Sequence, residues 1–346
     1  MVSLLLNAIL LRFSKTLGVR NTKEDIIRWN NLVKPSLGGI SFYVLFLLSV
    51  SAYSIIFHAN EIFNNLQLSG LIAVCSMAFF MGLADDAYNT KPLLKFLVQV
   101  LCAVVLILTG TMINIFPNVY VNYLFTVLWV VGMMNSLNML DNMDAITTTV
   151  SINIILAALM ILLLNHDTAN IHTWLLIGLM GTLFGFLYFN WYPSKLFMGD
   201  TGSQFLGVFL AAIGINYFWN STDAGGNVIQ SKQFFVSILT FLIPIVDTTV
   251  VVVNRILKGR SPFIGGKDHT THHISYFGLS DRKVAIIFAL LSFLSMLGTL
   301  VIMKYITTWG YLHICIFGTY FLLIFGFMFY VTKTSKPKHA DDQKAS

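Results

Sequence analysis

Aspartates recur in this sequence where apolar stretches end, and their spacing suits chemistry on phosphates or metal ions. Asp85 and Asp86 are adjacent at the end of one apolar run, and Lys95 follows at the start of the next. Adjacent carboxylates repel each other unless a cation or a proton lies between them. The pair therefore indicates a cation-binding or phosphate-handling site, and the alternative is a solvated helix end with two acids.

A second polar stretch, "NSLNMLDNMDAITT", covers residues 135–148. Asn135, Asn138 and Asp141 recur every three residues, so a helix would place them on one side, with Asp144 beyond its end. Polar groups at membrane depth face protein or a water-filled cavity. Amide and carboxylate groups suit a nucleotide or a metal shell; the alternative is a polar stripe that joins helices.

The stretch "FMGDTGSQFLG" places Asp200 between Gly199 and Gly202, at the start of another apolar run. Glycines allow close approach of the backbone, and the amide groups at a helix start favour anions. An aspartate there is a hard oxygen ligand, so the stretch suits Mg²⁺ and phosphate together. In the alternative interpretation, Asp200 only caps the helix.

The polar segment 254–283 combines basic side chains, Arg260 among them, with the three imidazoles of His269, His272 and His273. Guanidinium and ammonium groups bind diphosphates, and imidazoles titrate near neutral pH. His269 and His273 also have the i, i+4 spacing of a zinc pair, which we do not favour because the glutamate of a zincin motif is missing.

Asp247 differs from the other acids because it lies within an apolar run, after Pro244 and before Arg255. A buried carboxylate is costly unless it is paired. We therefore expect Asp247 to pair with or orient another group rather than to act in catalysis directly.

The elements that must position these residues are transmembrane helices. The chain has 346 residues, of which 56% are hydrophobic and only 10% charged, with a mean hydropathy of +0.77. Apolar runs of about 20 residues recur along it, each long enough to cross a bilayer as a helix. We predict an all-α integral membrane protein with about eleven spans, or ten if the N-terminal one is incomplete. They lie near residues 3–19, 38–57, 67–84, 93–115, 119–140, 145–164, 172–190, 203–219, 234–254, 284–304 and 309–332.

Charge assigns the two faces of this bundle. With eleven spans, every Lys and Arg except Lys232 and Lys304 lies on one side, which the positive-inside rule makes cytoplasmic. The basic composition thus reflects topology, and we predict no nucleic-acid partner. The chain is read as one membrane domain, 1–332, and a polar cytoplasmic tail, 333–346, expected to be disordered. The active site is expected on the cytoplasmic face.

Several motifs in one order resemble the polyprenyl-phosphate N-acetylhexosamine-1-phosphate transferase family. The motifs are "KPSLGGI", the paired aspartates, "NSLNMLDNMDA", "FNWYPSKLFMGDTGS" and "GRSPF" with "DHTTHH". Within the family the chain looks most like the bacterial undecaprenyl-phosphate N-acetylglucosaminyl-1-phosphate transferases. It departs from the family in carrying Asn142 and Ala145 where glycines usually follow the aspartates of the second motif.

The resemblance implies transfer of a sugar 1-phosphate, most simply GlcNAc 1-phosphate, from a UDP-N-acetylhexosamine to undecaprenyl phosphate. UMP is released, and the product initiates a lipid-linked glycan. The implied cofactor is Mg²⁺, with Mn²⁺ as a substitute. The implied location is the lipid bilayer of the bacterial cytoplasmic membrane, and a homodimer is compatible with the family.

The resemblance also implies site roles. Asp200 and Asp86 would bind the metal, Asp85 would hold or activate the lipid phosphate beside Lys95, and Phe197 would stack on uracil. The remaining predicted residues fall into two groups: Asn138, Asp141 and Asp144 at the nucleotide and metal, and Arg260, His269, His272 and His273 at the sugar diphosphate.

Two other classes of protein were weighed. A transporter or channel would have sites near the bilayer midplane and polar residues serving both faces, whereas the polar clusters here fall on one. A non-catalytic membrane scaffold would give no reason for Asp85, Asp141 and Asp200 to be individually essential. The transporter, with a cation site on the cytoplasmic side, is the main alternative.

Overall fold

The computed structural model describes residues 1–14, 34–57, 64–164, 170–222, 228–261, 266 and 268–335. Within these ranges the regular structure is helical, and no strand occurs. In chain order the helices are α1 (Val2–Phe13), α2 (Gly38–Ile56), α3 (Leu66–Tyr88), α4 (Pro92–Leu108), α5 (Val119–Leu140), α6 (Ile146–Leu164), α7 (Ile171–Asn190), α8 (Gly199–Gly214), α9 (Gln230–Thr240), α10 (Leu242–Leu257), α11 (Thr270–Tyr276), α12 (Asp281–Lys304) and α13 (Tyr311–Thr334).

Eight helices of the described part are long and apolar enough to cross a membrane, and α8 is one of them because the π-helical segment Ile215–Trp219 continues it. The pair α9 and α10 passes the same test together, but it is bent by 80°. The two shorter apolar helices are α1 and α4. These segments stand where apolar runs predicted spans, so the multi-span helical fold is confirmed, while the crossing count of eleven stays a prediction. The predicted tail lies largely outside the described residues, because α13 ends at Thr334 and the description ends at residue 335.

Helix α8 is the centre of the bundle, and its side chains are buried almost from end to end. It packs mainly on α3 and α5, and also on α2. Two glycines make the approach at its start possible. A Cβ atom on Gly39 would lie 2.2 Å from the amide nitrogen of Gly202, and one on Gly82 would lie 2.3 Å from the carbonyl oxygen of Asp200. Small residues thus let α2 and α3 touch the backbone of α8.

The predicted site residues converge at one end of this bundle. Helices α3, α5 and α7 end there, and α4, α6 and α8 begin there. Helix α5 has 22 residues and is about 33 Å long, so its two ends reach opposite sides of the molecule. The convergence follows from the up-and-down order of long helices joined by short connections.

The other end of the bundle is held by amide side chains. Asn122 accepts a hydrogen bond from the amide of Phe116 at 2.9 Å and donates to the carbonyl of the same residue at 2.9 Å. Asn220 accepts from the amide of Asn114 at 2.8 Å and donates to the carbonyl of Met112 at 2.8 Å. These bonds satisfy the irregular backbone between α4 and α5, which no helix could satisfy.

Candidate active site

Asp86 caps the central helix. Its carboxylate accepts hydrogen bonds from the amides of Asp200 at 3.0 Å and Thr201 at 2.9 Å, and from the Thr201 hydroxyl at 2.6 Å. The first amides of a helix have no partner within it, and a carboxylate at this end also meets the positive end of the helix dipole. Gly199, with a φ of 69°, turns the chain into α8; a Cβ there would lie 2.5 Å from Asp86 Oδ2. Asp86 therefore fixes the position of Asp200.

Asp85, the neighbour of Asp86, faces a different partner, because one residue turns a helix by about 100°. Its Oδ2 lies 2.5 Å from Lys95 Nζ, and its Oδ1 accepts from the amide of Thr90 at 2.8 Å and the hydroxyl at 2.6 Å. Lys95 Nζ also lies 3.0 Å from Asp200 Oδ2. One ammonium group thus bridges two carboxylates, and Asp85 and Asp200 face one another across it.

The chain after α5 brings a third carboxylate to this centre. Asp141 is the residue that caps the C-terminus of α5, and Asn138 lies in its last turn. Because protein surrounds the group and the charges of Asp200, Asp86 and Asp144 lie nearby, the pKa of the Asp141 carboxyl is raised well above its ordinary range. The centre has more negative charge than Lys95 neutralises, so it favours binding of a further cation.

Mg²⁺ fits this donor set in its chemistry. Among the described residues, no three or more His, Cys, Asp or Glu side chains form a metal cage. Mg²⁺ rarely needs one, since it is usually bound by one or two carboxylates together with substrate phosphates and water. Asp200 and Asp141 supply hard oxygen atoms in a carboxylate-rich centre. The oxygens of Asp86, by contrast, are already engaged in capping α8.

Asp144 belongs to a second cluster that the sequence analysis did not foresee. Its carboxylate accepts from the amide of Ser194 at 2.9 Å and from its hydroxyl at 2.7 Å. Lys34 Nζ donates to the Ser194 hydroxyl at 2.9 Å, lies 3.8 Å from Asp144 and sits 5.1 Å from the ring centroid of Phe197. Lys34 is only 9% exposed. Its position at the start of the motif "KPSLGGI" could have indicated a role in the site. The sequence analysis used Lys34 only as one of the basic residues that assign the cytoplasmic face.

The backbone that joins the two clusters is strained at Ala145, which has a φ of 67°. Asn190 holds it there, accepting from the Ala145 amide at 3.1 Å and from the Thr148 hydroxyl at 2.9 Å. Left-handed conformation costs a residue with a Cβ atom roughly 1–2 kcal/mol. The conformation is the one a glycine would take, so the chain follows a glycine-like path without the glycine.

The histidines lie on α11 and at its start. Thr271 donates to Asn142 Oδ1 at 2.6 Å, which ties α11 to the segment after Asp141. Burial lowers the pKa of His272 to about 3, helped by the charge of His269, and lowers that of His273 to about 4, helped by Lys258. Both rings are therefore neutral at pH 7.

The basic residues of this segment divide into two kinds. Arg255 is buried and donates from Nε to Asp268 at 2.9 Å and from Nη2 at 2.7 Å. Burial alone would raise the pKa of Asp268, but the hydrogen bonds and charge of Arg255 outweigh it and hold the pKa below its ordinary value. Arg260 is exposed just beyond α10, beside the residues 262–265 that are not described. Of the predicted site residues, Arg260 is the one that the structure does not bring to the others.

The chain was compared with known proteins. A sequence profile described as glycosyl transferase family 4 matches residues 68–218, the part that contains Asp85 through Asp200. A probable undecaprenyl-phosphate N-acetylglucosaminyl 1-phosphate transferase of Bacillus subtilis is 28% identical over 302 residues, covering 85% of this chain and 78% of the relative. A decaprenyl-phosphate N-acetylglucosaminephosphotransferase of Mycobacterium leprae is 27% identical over 287 residues, 73% of this chain and 69% of the relative.

A third relative is named as a different transferase. The phospho-N-acetylmuramoyl-pentapeptide-transferase of Streptococcus uberis is 30% identical over 248 residues, covering 62% of this chain and 71% of the relative. The motifs, the multi-span helical fold and these matches agree with one another. The chain belongs to glycosyl transferase family 4, in agreement with the resemblance of its motifs to the polyprenyl-phosphate N-acetylhexosamine-1-phosphate transferases.

Proposed function

We propose that the protein transfers N-acetylhexosamine 1-phosphate from a UDP-sugar to undecaprenyl phosphate, with GlcNAc 1-phosphate as the first choice. The single observation that carries the proposal is the Asp85–Lys95–Asp200 centre at the capped start of α8. The names of the relatives from Bacillus subtilis and Mycobacterium leprae support the sugar and the class of lipid. No observation favours the transporter alternative.

The acceptor phosphate is proposed to bind at Lys95. A groove of about 310 Å³ lies between α3 and α4 and is lined almost wholly by apolar side chains, among them Leu94, the neighbour of Lys95 in the chain. Thr90, which bonds Asp85, forms its polar end. A lipid phosphate could therefore place its apolar chain along the groove and its anion at the ammonium group. The lining residues are Met77, Phe80, Met81, Ala84, Thr90, Leu94 and Val98.

The reaction is proposed to be a direct displacement. An oxygen of the lipid phosphate attacks the phosphorus that carries the sugar, and the bond from this phosphorus to the bridging oxygen of the diphosphate breaks. The products are undecaprenyl-diphosphate-sugar and UMP. A lipid phosphate is already anionic at neutral pH, so Asp85 need not remove a proton and instead holds Lys95 in place. Trapping of an aspartyl-phosphate would contradict this order of events.

Phosphoryl transfer depends on alignment and charge neutralisation more than on covalent help from the protein. Mg²⁺, with Mn²⁺ as a substitute, would neutralise the diphosphate charge when bound. Asp200 is the proposed principal ligand, with Asp141 beside it. Asp86, a predicted metal ligand and catalytic residue, is proposed to act chiefly by holding the start of α8, because its oxygens already accept three hydrogen bonds there.

The nucleotide is proposed to bind at the Lys34 cluster. The Phe197 ring offers a face for stacking on uracil, and the ammonium group of Lys34 offers a donor to its carbonyl oxygens. Asn138 and Asp144 border this region. The sugar diphosphate would then extend towards α11, where neutral His272 and His273 and the nearby His269 can donate or accept hydrogen bonds. Arg260 would have to approach for the predicted contact with the diphosphate.

The membrane arrangement is also proposed. The eight helices that are long and apolar enough to cross, the bent pair and the two short apolar helices would together make eleven crossings. The charge distribution then puts the site and the C-terminus in the cytoplasm of a bacterial cell. This side is where nucleotide sugars occur, and the lipid acceptor arrives laterally. A homodimer is compatible with the proposal.

The test is release of UMP by the purified protein supplied with undecaprenyl phosphate and UDP-GlcNAc. We expect release to require both the lipid and Mg²⁺, and to fall by about a hundredfold or more in Asp200→Asn. Asn118→Ala is the control, because Asn118 is exposed at the start of α5, at the other end of the bundle, and should leave activity unchanged. Release only with another UDP-N-acetylhexosamine would change the donor, and no release with any would refute the transferase.

A further inference from the structure

A buried carboxylate on α10 organises the start of the histidine helix. Asp247 is 0% exposed. Its Oδ1 accepts from the amide of Thr270 at 3.0 Å and from the Thr270 hydroxyl, and its Oδ2 lies 3.0 Å from His269 Nδ1. A carboxylate removed from water needs such partners. All of these contacts go to two consecutive residues, more than twenty positions along the chain, at one point of another helix.

Helix α11 depends on such outside contacts because it has only seven residues. A helix this short is not stable by itself in water. Asp247 supplies the N-terminal cap that the residue at the cap position, His269, does not provide. The next residue of α11, Thr271, bonds to Asn142 at 2.6 Å and so connects the helix to the segment that carries Asp141.

The same carboxylate fixes the imidazole of His269. A carboxylate beside Nδ1 favours a proton on that nitrogen, which leaves Nε2 as the nitrogen able to serve a ligand. The ring also packs edge-on against His272, with centroids 5.5 Å apart. Asp247 thus sets the orientation of the His269 ring, on which the His272 ring packs.

We propose that Asp247 is a positioning residue for the sugar-nucleotide donor: it holds α11 and the His269 ring against the aspartate segment. The expected kinetic effect rests on the proposed function, whereas the structural role of Asp247 in holding α11 does not. A buried acid that merely stabilises the fold would affect all substrates alike. A positioning residue acts through His269 and affects the donor.

The first test is hydrogen exchange of residues 269–276 in Asp247→Asn. The amide group of asparagine can still accept from Thr270, but its NH₂ group opposes a proton on His269 Nδ1. We expect faster exchange across α11 than in the wild type. Thr240→Ala is the control: Thr240 is a buried polar residue at the end of α9 whose hydroxyl lies 3.0 Å from that of Thr299 on α12, and its loss should leave α11 unchanged. Unchanged exchange in Asp247→Asn would overturn the proposal.

The second test is kinetic. We expect kcat/KM for the UDP-sugar to fall by about ten- to a hundredfold in Asp247→Asn, the range found when a carboxylate behind a functional histidine is lost. The KM for undecaprenyl phosphate should stay within about twofold. His269→Gln should lower kcat/KM by a similar factor. The double variant should be no worse than the worse single one, because both changes remove the same Asp247–His269 interaction.

The outcomes separate the two proposals. Additive losses in the double variant, or equal losses for donor and acceptor, would overturn the positioning role. Absence of UMP release by the wild type would refute the proposed function, while hydrogen exchange would still decide whether Asp247 holds α11.

Discussion

The two ends of the helical bundle use polar side chains for different purposes. At the end with Asn122 and Asn220, amide groups bond to the backbone of the chain between α4 and α5, and no carboxylate is described there. At the other end, carboxylates on α3 and α8 share one lysine, and a third has a raised pKa. Neutral amides are sufficient to satisfy backbone groups. The end with Asp85 and Asp200 has more carboxylates than its backbone groups require. We therefore infer that charge serves the chemistry at this end.

The aspartates at the charged end are themselves of two kinds. Asp86 and Asp144 resemble the amides of the far end, because both of their oxygens accept hydrogen bonds from backbone and hydroxyl groups. Asp85 and Asp200 instead share an ammonium group. Structural and chemical roles thus alternate between neighbours in the chain, and single substitutions should separate them.

The largest effect is expected for Asp86→Asn. Its NH₂ group would replace one carboxylate oxygen and oppose the amide of either Asp200 or Thr201, so the start of α8 would lose part of its cap and Asp200 would shift. We expect kcat to fall about a hundredfold or more, together with a loss of about 2 kcal/mol in the free energy of unfolding. The measurement is UMP release beside denaturant unfolding in micelles. Lower stability with full kcat would show that Asp86 is a cap without influence on Asp200.

An effect on stability alone is expected for Asn122→Leu at the far end. The change leaves the amide and carbonyl groups of Phe116 without their partner, which costs about 2 kcal/mol. The site lies a full helix length away, so kcat and KM of the folded protein should match the wild type. Asn118→Ala is a milder control, because Asn118 is exposed and bonds only to the amide of Tyr120 at 2.9 Å. A large loss of kcat in Asn122→Leu would show that the two ends are coupled.

The sequence was sufficient to predict the helical segments and to predict that the aspartates lie together at one end of the bundle. An apolar run of about 20 residues crosses a membrane as a helix. Because successive helices alternate in direction, every second connection, with its polar residues, lies at the same end of the bundle. The sequence could not distinguish Asp85 from Asp86, because their roles depend on which of them faces α8. It could not reveal Lys34 either, since a lysine before a proline at a helix entrance is usually a solvated charge.

Other features were set by contacts between distant residues. Asp247 was expected to be paired, but its partners at the start of α11 lie more than twenty residues along the chain and follow no local pattern. Ala145 adopts a positive φ because Asn190 bonds its amide. Arg260 stays exposed although its motif suggested diphosphate binding. Such features require the packed structure because no periodicity or motif contains them.

The smallest expected effect is a pH dependence of the free energy of unfolding. It should arise at the end that carries α11, because the His272 ring titrates, whereas the amide groups of Asn122 and Asn220 at the other end do not. The ordinary pKa of His272 is 6.5 and burial lowers it to about 3 in the folded protein. The unfolded chain therefore binds a proton that the folded protein excludes, so stability is full above about pH 6.5 and falls as pH drops towards 3. Between pH 7.5 and 5.5 this group should cost about 1.4 kcal/mol.

The measurement is the free energy of unfolding of wild type and His272→Gln at both pH values. The variant cannot titrate at this position, so its stability should fall less over the same interval, by about the amount assigned to His272, whatever other groups contribute to both proteins. Asn122→Leu should keep the pH dependence of the wild type, because Asn122 lies at the other end of the bundle from α11. Equal pH dependence in wild type and His272→Gln would mean that the ring is solvated when α11 is folded, and the difference in charge between the two ends would then rest on the aspartates alone.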